Sequence, residues 1–186
     1  HPLHRGLVEQ PATSHQGPAT DGGTVFWSKS GLAKDEAFYG EVFLDGSCTK
    51  TFAKELDRAS WSITKIHPTS CELIARLHGP VWSTLPQTSP SAEFCAMAAL
   101  AQVAELETWA HSNFSGVVKS FVKDPEEVLH QNSLFAGVHR AARIEANWKN
   151  IVNIVKVAAH QDLSMLDKSS REYLLAKGND EAGRWA

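Results

Sequence analysis

The sequence predicts an α/β domain: a mixed five-stranded sheet, its first three strands antiparallel, flanked by helices. Three observations predict it. Between residues 41 and 77, short runs of β-branched and apolar residues alternate with turn-rich loops, which is the pattern of sequential antiparallel strands. An Ala-, Leu- and Met-rich stretch opening at Ser89-Pro90 has helical composition. A late Ile/Val run over residues 151–158 precedes a final helical stretch. Hairpins followed by crossovers require helices on the sheet faces.

Residues 1–40 hold Pro2, Pro11 and Pro18 and scattered glycines, with no sustained period of 2 or 3.6, so they read as a linker or a partly ordered extension of a domain spanning 41–186. Within that segment, Val25-Phe26-Trp27 is apolar enough to dock on the domain. Strands are expected over residues 41–45, 59–66 and 72–77. The helix over residues 91–105 is opened by a hydroxyl N-cap at Ser89 and proline at the first helical position. A strand over 107–112, a short helix over 115–121 and a helical region from Pro125 past Arg143 follow. Residues 151–158 read as a buried strand, and residues 168–186 as helical with a break at Gly178-Asn179.

The 186 residues are 42% hydrophobic and 21% charged, which fits one domain and excludes disorder throughout. Eighteen Lys and Arg against 21 Asp and Glu give a net charge of −3, so any nucleic-acid role must rest on a local site. Apolar stretches such as 94–106 fall short of the roughly 20 residues that cross a bilayer. Cys48, Cys71 and Cys95 have neither disulfide-framework nor zinc spacing, so a reducing intracellular compartment, cytoplasm or nucleus, is expected. The chain opens on His1 without a charged-then-apolar leader and is read as a piece of a longer one.

Two acids stand at positions where chemistry is possible. Asp45, in Phe43-Leu44-Asp45-Gly46-Ser47, ends the first strand, and Gly46 permits close backbone approach to a ligand; taken alone, Asp-Gly more often merely opens a turn. Glu93 is expected in the first turn of the long helix, where an acid also favours the helix dipole.

Together with Arg58-Ala59-Ser60-Trp61-Ser62-Ile63 and Gln87-Thr88-Ser89-Pro90-Ser91-Ala92-Glu93-Phe94, these residues resemble the opening of a ribonuclease H domain. Ser112-Asn113-Phe114-Ser115-Gly116-Val117-Val118 is similar to that family's Thr/Ser-Asp-x-x-x-Val segment. Val155-Lys156-Val157-Ala158-Ala159-His160 resembles its late strand and histidine, and Gly178-Asn179-Asp180-Glu181-Ala182-Gly183 its closing Gly-Asn-x-x-Ala-Asp helix. The matches run in order from about Glu41 to the end, in the style of reverse-transcriptase-associated and cellular members.

The resemblance implies a ribonuclease H-like fold and hydrolysis of the RNA strand of an RNA–DNA hybrid, with four acids holding two divalent ions, Mg2+ or Mn2+. It also implies adjacent domains of a longer polyprotein, while the short apolar stretches leave no membrane partner expected. Asp45 and Glu93 carry over directly, but the third acid position is Asn113 and the fourth is Gly183. Four negative charges fall to two, so metal affinity should fall and cleavage be weak or absent. Asp180, three residues before Gly183 on the same helical face, is a candidate replacement ligand, with a helix-dipole role as its alternative. By resemblance, His160 sits near the leaving group as a catalytic residue. His111 shares the face of Asn113 and reads as structural. Candidate substrate contacts are Ser47, Cys48, Ser89, Ser91 and Lys119. The alternative is a catalytically dead ribonuclease H-like domain that binds nucleic acid or acts as a scaffold. An integrase-like nuclease fits less well, because such enzymes place the glutamate last among their acids.

Overall fold

The computed structural model describes residues 23–29, 31–52 and 57–186; residues 1–22 of the proposed extension lie outside the described residues. Six strands make one mixed sheet in the order β1-β4-β3-β2-β5-β6: β1 (Val25–Ser28), β2 (Phe38–Thr49), β3 (Arg58–Ile66), β4 (Leu73–Pro80), β5 (Ala104–Ser112) and β6 (Ile151–Lys156). β2 to β4 form the antiparallel meander, and β5 and β6 add in parallel beside β2.

The sixth strand corrects the expected five. Val25-Phe26-Trp27 pairs antiparallel with β4, because alternation sends Phe26 onto the core, edge-on to Phe38 at 6.2 Å, and Trp27 to the other face over Arg76. β2 is also longer than residues 41–45. Asp45 and Gly46 are not a turn: they pair in mid-strand with Ser62 and Trp61.

The helices are α1 (Lys34–Ala37), α2 (Ser89–Val103), α3 (Ser115–Phe121), α4 (Pro125–Val128), α5 (Ala136–Ile144) and α6 (Arg171–Trp185). Thr88 rather than Ser89 caps α2, accepting from the Ser91 backbone N–H at 3.3 Å, which puts Pro90 at the second helical position. The single helical region expected from Pro125 is two helices, since His130 Nδ1 accepts the Asn132 backbone N–H and a turn follows. α6 runs through Gly178-Asn179 without a break.

Strand alternation divides the core. Val42 and Leu44 of β2 pack beneath α2, while Phe43 turns to the opposite face and packs with Leu174 and Ala182 of α6. α2 is buried nearly all round, between the sheet and α5, and its small side chains let it lie close. α6 seats as closely: a Cβ at Gly178 would come within 2.2 Å of the Phe43 ring, and Ser62 Oγ donates to the Ala182 carbonyl at 2.7 Å. Gly178 therefore continues the helix because Phe43 needs its missing side chain. Among the described residues, no helix is long and apolar enough to cross a membrane.

Candidate functional site

Asp45 shares the α6 face of β2 with Phe43, whereas Glu93 rises from α2 on the other side of the sheet. They meet because Gly46 holds nothing between them: a Cβ there would lie 2.4 Å from the Glu93 backbone nitrogen. Glu93 stands in the second turn of α2 and is 3% exposed, so the helix-dipole role expected for it does not apply. Asn113 follows β5 immediately and donates its Nδ2 to Asp45 Oδ1 at 3.2 Å. Gly183 completes the group, since a Cβ on it would come within 2.8 Å of Asp45 Oδ2. The strand ends and helices thus bring positions 45, 93, 113 and 183 to one place.

Electrostatics mark the same spot. Burial, and then the Asp45 carboxylate beside it, push Glu93 up to about 9, against weaker opposing hydrogen bonds from Ser112 Oγ at 3.2 Å and the Gly46 backbone. At neutral pH Glu93 therefore keeps its proton.

These residues line a cavity of about 670 Å³. Ser47, Cys48 and Ser89 line it with them, as do His160 and Asp180. Cys48 Sγ is spent on the Gln87 carbonyl at 3.2 Å. His160 is exposed and held at φ 51°, a left-handed conformation uncommon for residues other than glycine. Asp180 Oδ2 is engaged by Arg184 at 3.1 Å and Lys177 at 3.6 Å, so a metal would have to displace cations to use it. Two candidate contacts fall elsewhere. Ser91 is fully buried against the Thr88 hydroxyl, and Lys119 lines a separate cavity with Phe94 and His139. His111 stacks on Phe43 at 5.0 Å and meets Glu41 at 3.3 Å, a packing role.

Asn179, Gln161 and Arg184 also line the cavity, and residue reasoning did not single them out. Asn179 is 6% exposed, with no hydrogen-bond partner for its Oδ1. The signal was its position four residues before Gly183, on the same helical face.

Divalent ions of the magnesium kind take oxygen ligands. Asp45, Glu93 and the side-chain amides of Asn113 and Asn179 line the cavity as potential oxygen donors of that kind, although Asn113 now turns its Nδ2 toward Asp45. Among the described residues, no three His, Cys, Asp or Glu side chains gather in a metal-holding group.

No protein-family model matches the chain, and no curated protein matches it significantly in sequence. Among solved structures it is similar to ribonuclease H1 from Halobacterium salinarum NRC-1, at 14% identity over 64% of this chain and 86% of that one, with a TM-score of 0.42. It is also similar to the N-terminal ribonuclease H domain of a Mycobacterium tuberculosis protein, at 12% identity over 63% and 86% of the two chains, TM-score 0.41. A foamy viral protease-reverse transcriptase, solved in complex with RNA/DNA hybrid, superposes over 83% of this chain with a TM-score of 0.57 at 12% identity. The fold is ribonuclease H-like. This chain spans 20% of the length of the viral protein, and at this identity the likeness concerns architecture alone.

Proposed function

We propose that this ribonuclease H-like domain engages RNA–DNA hybrid at the Asp45–Glu93–Asn113 cavity, and that its hydrolytic activity is weak or absent because the protein holds one divalent ion there instead of two. The convergence of Asp45, Glu93 and Asn113 on one cavity carries this reading. Asp45 and Glu93 would hold the ion, which when bound supplies positive charge for a phosphate oxygen. Asn113 Nδ2 already hydrogen-bonds Asp45, so the amide offsets part of the charge that a cation would otherwise meet. In this reading the hydroxyls of Ser47 and Ser89, on the wall, would bind sugar or phosphate, and His160, on the same wall, would move a proton at the leaving oxygen.

A second reading, a nucleic-acid-binding or scaffold domain without catalysis, is favoured by one further observation. Lys177 and Arg184 hold Asp180, the candidate replacement ligand, in ion pairs.

Stepwise restoration separates the readings. Asn113→Asp should recover measurable Mg2+-dependent cleavage of a hybrid, Asn113→Asp with Gly183→Asp should recover more, and Glu93→Gln should abolish it in either background. A folded double variant that binds hybrid yet stays inert at about 10 mM Mg2+ would favour the scaffold.

A further inference from the structure

A second cavity, of about 380 Å³, lies at the other end of α6, where the start of β2 and the end of β3 meet the helix's first turns. That volume is within the range of small-molecule sites. Its walls are largely apolar: Tyr39, Phe43, Ile66, Pro68, Ile74 and Leu174. The polar groups among its lining are Lys65, Glu41 and His67.

Gly40, at φ 66°, takes a conformation that residues with side chains rarely adopt, and the β2–β5 register shifts there. Tyr39 is consequently turned out of the regular pleat. Lys65 Nζ lies 3.2 Å from the Tyr39 ring centroid and donates to the Tyr39 carbonyl at 2.7 Å. Among the described residues no carboxylate pairs with Lys65, and burial pulls its amine down to about 8. A half-buried cation with a ring and one carbonyl for company keeps room for a carboxylate partner. Glu41 does not supply the missing charge, because Arg171 and His111 both engage it. His67 spends Nδ1 on the Thr69 and Ser70 backbone N–H groups at 3.3 and 3.1 Å, leaving Nε2–H as its donor. The cavity therefore offers two donors, an apolar interior and a neutralised acid.

We propose that this cavity binds a small amphipathic carboxylate, its apolar body among Phe43, Ile66 and Leu174 and its carboxylate on Lys65. The site is independent of the Asp45 cavity and stands whether or not that cavity handles hybrid.

Titration of the 15N-labelled chain with 4-phenylbutyrate, 4-phenylbutan-1-ol and 4-phenylbutylamine tests it. These probes share a body and differ in head-group charge. The expected result is amide shifts confined to Gly40, Phe43, Ile66 and Leu174 and their neighbours, with the acid binding at least about tenfold tighter than the amine. Lys65→Met should remove that preference, weakening the acid far more than the alcohol, and Lys65→Arg should keep it. Equal binding of acid and amine, shifts centred on Asp45, or no saturable shift up to about 5 mM acid would overturn the proposal. If Lys65→Met loses its native spectrum, the head-group series on the unaltered chain and on Lys65→Arg decides the matter.

Discussion

Asn113 and Glu93 answer one physical problem in different ways. Two carboxylates and a third acid could not all stay ionised in a site this buried without cations. Here Asn113 donates to Asp45, and Glu93 keeps a proton. A carboxyl whose folded pKa lies above its unfolded value binds more protons when folded, so stability falls as pH rises between the two. For Glu93 that window runs from the ordinary 4.5 to about 9. Glu93→Gln should therefore raise the melting temperature at pH 8 by about 3 °C or more and change it little at pH 4.5, as read by calorimetry. Asn113→Asp should act in the opposite sense without metal, adding a like charge beside Asp45. Mg2+ should then raise the melting temperature of Asn113→Asp by about 3 °C more than it raises that of the unaltered chain. Equal shifts in both proteins would remove position 113 from the ion's surroundings.

At the scale of elements, α6 couples packing to the site. A glycine inside a helix costs about 0.5–1 kcal/mol relative to alanine, so composition alone would break α6 at Gly178 and would favour any side chain at Gly183. The first reverses against the Phe43 ring, and the second meets the Asp45 carboxylate. Gly178→Ala would drive a Cβ into the Phe43 ring and should destabilise by about 1–3 kcal/mol, seen as a lower urea midpoint at unchanged slope. Gly183→Asp would place a Cβ 2.8 Å from Asp45 Oδ2 and a carboxylate beside it. It should bring no gain in melting temperature in metal-free buffer and a gain only when Mg2+ is added. A rise in metal-free buffer would mean that helix propensity outweighs the contact.

For the whole molecule, β1 is a sixth strand recruited by Phe26, which packs with Phe38 where β2 begins. Phe26→Ala should cost about 2 kcal/mol, and amide exchange should rise first along β1 and its partner β4. The polypeptide by itself determined the order of elements from β2 onward, because runs of β-branched residues, the Ser89-Pro90 helix start and the Ile/Val content of residues 151–158 are local signals. It also marked Asp45, Glu93 and Asn113, whose neighbours in the chain make the ordered resemblance. Three-dimensional packing decided the rest. Glu93 reaches Asp45 only through the gap left by Gly46, Asp180 meets cations instead of the acids, and Ser91 turns inward. The Lys65 cavity needs residues from β2, β3, β4 and α6 at once. Such features arise between elements distant in the chain, and the strength of a buried charge depends on what surrounds it in space, which no window of sequence contains.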